Sequence, residues 1–326
     1  APNGAMFKNQ QGILPDIISK LHIAREKAKK DKRELASYAI KIIMNSFFGV
    51  LANPNCRYFS LEMANAITHF AQYIIKLTAQ KIEEKGYKVI YSDTDSVFID
   101  TENKKTNPLE LQDYINNFYK EFVKQEYKRI SYLDLEFKRH YLSFLLPPVR
   151  NQAKETEKGS EKGSKKRYAG LYKKDGREEL EIIGLEAIRG DWTDAAQDFQ
   201  RELLMKIFHR EEFIPFIKSY VKKITEGKLD SKLVYKKSIR KNLDEYTKTT
   251  PPHVKAARKL DKLEGSTIEY YITEDGPEPL QKLKHKIDYE HYIDKQIAPI
   301  ANTVLFFFDR KFEDILKESK QTRLFS

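Results

Sequence analysis

The sequence has 326 residues, 40% of them hydrophobic and 33% charged, which is enough apolar material for a sizeable core divided into two or three structural units. Its 59 Lys and Arg against 48 Asp and Glu leave a formal charge of +11, favouring a polyanionic partner without choosing between nucleic acid, a membrane surface and simple solubility. Cys56 is the only cysteine, so an internal disulfide and a thiolate cluster for zinc or iron and sulfur are excluded, and an intracellular setting fits.

The opening Ala1-Pro-Asn-Gly4 starts without Met inside what reads as a turn, and it lacks the basic and apolar regions of a secretory signal. A processed chain, an expressed fragment or one piece of a longer protein is expected. No run of about 20 apolar residues is expected to cross a bilayer, and no membrane partner is expected.

From Gly12 to Lys32 the stripe of Ile17, Ile18, Leu21, Ala24 and Ala28 predicts a helix entered through Leu14-Pro15-Asp16. A second helix is predicted from Glu34 to Phe48, with the reversal at Asp31-Lys32 closing a helical hairpin. Between Lys20 and Lys41 there are eight Lys or Arg against three Asp or Glu, a basic surface suited to phosphates or an ordinary solvated face. Arg25 and Lys29 are four apart, as are Lys41 and Asn45, and Phe48 follows Lys41 by seven, so each set shares one helix face. Gly49 permits a helix exit or a close backbone approach.

Ser60 caps a third predicted helix that runs to Lys85 and stops at Gly86. Two β-prone runs, Tyr87 to Tyr91 and Ser96 to Asp100, then flank Ser92-Asp93-Thr94-Asp95 and predict a hairpin with acids at its tip. Carboxylates cannot pack in a core without compensation, and hard oxygen donors on a short turn suit magnesium. Nucleotidyl transfer by two cations would use such a pair. A surface Asx turn is the plain alternative, since two aspartates one residue apart are common.

A helix is predicted from Pro108 to Tyr127, and strands at Tyr132 to Phe137 and Tyr141 to Leu146. Glu136, in Leu133-Asp-Leu-Glu-Phe137, either approaches the metals as a further ligand or is an exposed strand residue. Residues 151–166 have no apolar rhythm and read as a flexible loop or a hairpin tip. It is closed by a strand pair at Tyr168 to Lys173 and Leu180 to Gly184. A boundary is placed near Asp191, with a mainly helical region after it: Thr193 to His209, Phe213 to Glu226, Thr250 to Leu263 and Tyr289 to Leu316, with a β-prone stretch at Thr267 to Ile272.

Taken together, Lys41-Ile-Ile-Met-Asn45-Ser-Phe-Phe48-Gly49 and Tyr91-Ser-Asp93-Thr-Asp95-Ser96 resemble two motifs of family B DNA polymerases, in order and about 40 residues apart. The branch resembled is that of bacterial DNA polymerase II and its archaeal relatives. Further stretches extend the resemblance over the chain: Gly12-Ile-Leu-Pro15 with Arg25 and Lys29, Lys165-Lys166-Arg167-Tyr168, Arg189-Gly-Asp191-Trp192, Thr250-Pro-Pro-His253 and Asp288-Tyr-Glu-His291-Tyr292.

The resemblance implies an α+β portion of a right-hand polymerase. It assigns 1–11 to a residual palm segment, 12–50 to helical-hairpin fingers, 51–190 to a mixed α/β palm with an antiparallel sheet, 191–320 to a mainly helical thumb and 321–326 to a tail. Asp93, Asp95 and Lys41 would be catalytic, with two Mg2+ ions, or Mn2+ in their place, held by Asp93 and Asp95 and by Glu136 if it reaches them. Arg25, Lys29, Lys41, Asn45 and Phe48 would hold a deoxynucleoside triphosphate, and Lys165, Lys166, Arg167, Tyr168, Arg189, Lys255 and Arg258 the primer-template DNA. Trp192, His253 and His291 read as structural. Gln321, Leu324 and Phe325 resemble a short peptide that binds a sliding clamp, with a frayed terminus as the plain alternative.

Two departures stand out. Phe48 replaces the Tyr of most relatives, and the first aspartate motif and the exonuclease region are absent. The chain is therefore expected to need an amino-terminal polymerase portion or large subunit, and to be inactive alone. The implied place is the cytoplasm, on the nucleoid of a bacterial or archaeal cell. A non-catalytic DNA- or clamp-binding subunit and an RNA-dependent polymerase are the competing readings.

Overall fold

The computed structural model describes the chain except residues 9, 11, 102–106, 149–164, 248–249, 264 and 322–326, and gives the backbone alone over 318–321. It divides into two compact units, Ala1–Phe137 and Lys138–Ser326.

In the first unit, α1 (Ile13–Lys30) packs on α2 (Glu34–Ala52) to form the expected helical hairpin. Lys32 turns the chain by adopting the left-handed region at φ 54°, where Gly is usual, and the Arg33 N–H donates to Ala28 O at 2.8 Å to satisfy a terminal carbonyl. α2 continues through Gly49 instead of ending at Phe48, because Leu51 is buried and its carbonyl accepts from the Ser60 N–H at 3.0 Å. By length and composition α2 is also apolar enough to cross a bilayer, which corrects the expectation that no such run exists. Lys41 lies midway along it, and a lysine at a bilayer centre costs roughly 2.5–3.5 kcal/mol on insertion scales.

The Ser60 side chain accepts from the Met63 N–H at 3.3 Å and starts α3 (Leu61–Glu84), which stops at Gly86 with φ 79°. β1 (Lys88–Asp93) and β2 (Ser96–Asp100) pair antiparallel, and α3 packs against both strands and α4 (Pro108–Tyr127). Ile82, Ile115 and Tyr119 form the core here, joined by Val89, Val97 and Ile99 from the hairpin and Leu133 and Leu135 beyond α4. The strand expected over Tyr132 to Phe137 is not a strand: no ladder forms there among the described residues. Side-chain amides of α4 take the place of a neighbouring strand. The Leu135 N–H donates to Asn116 Oδ1 at 2.7 Å, Asn116 Nδ2 donates to Leu135 O at 2.9 Å, and the Phe137 N–H donates to Gln112 Oε1 at 2.7 Å.

In the second unit β3 (Tyr141–Leu145), β4 (Tyr168–Lys174) and β5 (Arg177–Ile183) form an antiparallel sheet in that order. α5 (Asp194–Phe208) follows, capped by the Thr193 hydroxyl, and then α6 (Ile214–Thr225). One core joins Leu171, Ile182 and Leu185 to Phe199, Leu203 and Ile217. It therefore continues through the residues around Asp191, and the two compact units part between Phe137 and Lys138.

Helices make up most of the regular structure after Asp191, and a second antiparallel sheet, built around the expected β-prone stretch Thr267 to Ile272, joins them. β6 (Tyr235–Ser238), β7 (Thr267–Thr273) and β8 (Gly276–Pro279) pair in that order. α7 (Pro252–Arg258) packs on them and ends before the expected Leu263. The chain finishes with α8 (Tyr289–Tyr292), a π-helical turn at 293–297, α9 (Ala298–Leu305) and α10 (Phe312–Gln321).

Glu278 on β8 is only 2% exposed. Burial pushes its pKa up, but it accepts from the backbone N–H of Lys284 at 2.8 Å and of His285 at 3.1 Å, meets His285 Nδ1 at 2.7 Å and pairs with Lys259, and the balance falls to about 2. A carboxylate held below its ordinary 4.5 contributes stability that is complete above that value and is lost as pH falls toward about 2. Glu278→Gln is expected to lower stability at neutral pH and to flatten this acid limb. Urea unfolding measured at a series of pH values from about 6 to about 3 checks it.

Candidate functional site

The β1–β2 hairpin closes through two residues, Thr94 and Asp95, between the paired Asp93 and Ser96. Thr94 is β-branched and yet sits at φ 55°, a region such residues avoid. Local bonds hold it there. The Asp95 N–H donates to Asp93 O at 2.6 Å, the Thr94 hydroxyl to Asp93 Oδ1 at 3.0 Å and the Ser96 hydroxyl to Asp93 O at 3.1 Å. The turn fixes Asp93 half-buried at the strand end and leaves Asp95 exposed at the tip. Backbone strain of this kind costs about 1–3 kcal/mol and persists only where its surroundings enforce it.

Arg25 and Lys29 share one face of α1, and Lys41, Asn45 and Phe48 one face of α2. Lys41 and Asn45 are exposed, and Phe48 shows 42% of its surface. Lys29 Nζ pairs with Glu26 at 2.8 Å, an exposed i,i+3 bridge of small net worth. Arg25 is half-buried, and its Nε has no hydrogen-bond partner among the described residues. α3 packs against α2 and also against both strands of the acid-tipped hairpin, so all five residues and the turn belong to one compact unit. Glu136 is exposed in the segment that α4 pins.

In the second unit Lys165 and Lys166 are exposed on the turn that enters β4, and Lys166 adopts φ 57°. Their two neighbours differ. Arg167 turns inward to Glu186, and Tyr168 is buried at 8% exposure with its ring centroid 5.3 Å from that of Phe144. Arg189 forms a forked pair with Asp191, Nε to Oδ1 at 3.0 Å and Nη2 to Oδ2 at 2.8 Å, which holds the Asp191 carboxyl below its usual value. Lys255 is exposed, whereas Arg258 Nη2 donates to Leu243 O at 2.8 Å and Tyr246 O at 3.3 Å, anchoring a loop. Trp192 packs against the main core, and His291 meets the Tyr235 hydroxyl at 3.1 Å with burial holding its pKa down, both in keeping with structural roles. Gln321 is the last residue of α10, while Leu324 and Phe325, like most of the 151–166 loop, lie outside the described residues.

Sequence reasoning missed the partners of Arg167 and the surroundings of Glu278. Asp275, Glu278 and His285 bring ligand-type atoms within 4.8 Å of one another. Lys259 Nζ already sits 3.4 Å from Glu278, so that carboxylate is neutralised by protein. The charged residues alone gave no signal for either group, because their partners come from other elements.

Among known proteins, DNA polymerase II of Escherichia coli is 36% identical over 330 residues, an alignment covering 96% of this chain and 41% of that protein. The DNA polymerase of a Desulfurococcus species is 29% identical, with 97% and 42% covered. A family B DNA polymerase structure from Pyrobaculum calidifontis superposes with a TM-score of 0.61 at 24% identity, over 91% of this chain and 38% of the other, which shows a shared fold. The chain thus spans about two fifths of the length of these relatives. The model of DNA polymerase family B matches residues 2–306, and the chain belongs to that family.

Proposed function

We propose that this chain is the nucleotide- and duplex-handling part of a DNA-directed DNA polymerase, adding deoxynucleotides to a primer 3′ end once it is joined to an amino-terminal polymerase portion. One observation carries the reading. A strained two-residue turn presents Asp93 and Asp95 in the same compact unit as a helical hairpin that presents Arg25, Lys29 and Lys41.

The donor set fits a divalent cation: two carboxylates on a rigid turn offer hard oxygens and leave room for water and phosphate oxygens. Asp93 and Asp95 would hold it, and Glu136 is proposed as a further ligand from the same unit. Magnesium, or manganese in its place, would supply activation of the primer hydroxyl and neutralisation of the triphosphate.

The remaining work falls to side chains of this chain. Lys41 and Arg25 offset charge on the triphosphate and align it, an effect of orientation and electrostatics. Lys29 joins them by exchanging its bridge to Glu26 for a phosphate oxygen. Asn45 and Phe48 face the sugar and base, the Phe48 ring through its exposed surface. Lys165, Lys166 and Lys255 meet the duplex. A lysine can reach acceptors common to all base pairs, so Lys166 can sense duplex geometry without reading sequence. Arg189 reaches a phosphate only by leaving Asp191. The tail from Gln321 through Leu324 and Phe325 is proposed to tether a sliding clamp, and the enzyme to work on the nucleoid.

Primer extension by this chain, with and without its separately expressed amino-terminal counterpart, tests the reading. Extension that needs both pieces supports it. A pair that binds primer-template and yet never extends it would point to a non-catalytic DNA-binding subunit.

A further inference from the structure

We propose that Arg167, Glu186 and Gln200 form a buried positioning network that mounts the Lys165-Lys166 turn against duplex DNA, a proposal that rests on the duplex-contacting reading of that turn.

Arg167 follows Lys166 directly, and its guanidinium pairs with Glu186, a carboxylate only 1% exposed. The second oxygen of Glu186 accepts from Gln200 Nε2 at 2.9 Å. Gln200, also 1% exposed, uses its own oxygen to accept the Ala187 N–H at 2.5 Å, and Arg201 Nη2 donates to Ala187 O at 2.6 Å. The start of β4, the 3-10 turn at Glu186–Ile188 and the middle of α5 are thereby tied to one buried carboxylate.

The backbone beside this network is equally constrained. Gly184 sits at φ 63° with its α-carbon against Lys166 O, and any β-carbon there would strike that oxygen. Lys166 itself is in the left-handed region at φ 57°. A lysine held in this conformation, one residue from a buried ion pair, has its backbone direction fixed before it meets DNA.

Stability alone is a poor account of the network. Buried ion pairs rarely outperform apolar residues of the same volume, and Arg167 Nε is buried without a partner among the described residues. A cost of that kind is consistent with a geometry held for binding. Arg167 is then a positioning residue and not a direct DNA contact.

The test measures affinity of the full 326-residue chain for a primer-template duplex by fluorescence anisotropy, with melting temperatures beside it. Lys166→Ala is expected to weaken binding by about 5- to 10-fold, the worth of one good contact. Glu186→Gln should weaken it to a similar degree, and combining the two should add little, because both remove the same contact. Multiplying effects, or a Glu186→Gln chain that folds and binds normally, would overturn the network. If Glu186→Gln fails to fold, the double variant Arg167→Met with Glu186→Leu keeps buried volume without charge. It is expected to melt within a few degrees of the parent and still to bind as weakly as Lys166→Ala; parental affinity in that variant would reduce the network to a structural role. A Lys166→Ala chain that binds normally would instead remove the duplex-contacting reading of the turn, and this proposal with it.

Discussion

Asp95→Ala, in the enzyme reconstituted with its amino-terminal portion, is expected to reduce primer extension by on the order of 10³-fold or more while duplex binding persists. The expectation follows from where the structure puts the residue. Asp95 is exposed at the tip of the hairpin, so losing its carboxylate removes no buried contact, and substitutions at such positions usually change stability by less than about 0.5 kcal/mol. The strain at Thr94 is enforced by bonds to Asp93, which the variant retains. In the proposed reading, primer-template is held by Lys165, Lys166 and Lys255 of the second unit, all of which the variant retains. A large loss of extension at unchanged duplex affinity would place Asp95 at the chemistry. Extension within a few-fold of the parent would show instead that the turn is an ordinary acidic surface loop.

Much of this was legible in the sequence because local rules decided it. Ser60 and Gly86 bracket α3 as a cap and a left-handed stop, and Pro108 marks the first turn of α4, where its missing N–H costs nothing. The acid-tipped hairpin followed from apolar runs on either side of a short polar turn. What stayed hidden depends on partners distant in sequence. Tyr235-Lys-Lys-Ser238 is too charged, and Gly276-Pro-Glu-Pro279 too rich in turn residues, to read as strands until β7 pairs with both. Leu133 to Phe137 alternates like a strand but has its hydrogen bonds met by Asn116 and Gln112. In the candidate site, Lys165 to Tyr168 reads as one basic stretch, yet Glu186 draws Arg167 inward and the sheet buries Tyr168, leaving only the two lysines exposed.

Lys41 offers the sharpest separation between nucleotide handling and duplex binding. It is exposed midway along α2, in a run of Ala, Ile, Met and Phe where a solvated lysine is not needed to satisfy any described neighbour. Alanine is at least as good a helix former as lysine, so Lys41→Ala should leave the helical hairpin intact. The loss is then confined to charge. kcat/KM for the incoming deoxynucleotide is expected to fall by on the order of 10²- to 10³-fold, as when one preorganised contact to the transferring phosphate is removed. Lys41→Arg keeps the charge but presents a planar fork in place of a compact ammonium, and it should recover part of the loss and not all of it. Steady-state extension with varied nucleotide, set beside duplex affinity by anisotropy, separates the effects. A fall in duplex affinity with unchanged kcat/KM would move Lys41 to the DNA-gripping surface, and equal activity in Ala and Arg variants well below the parent would show that size, not charge, is what the position supplies.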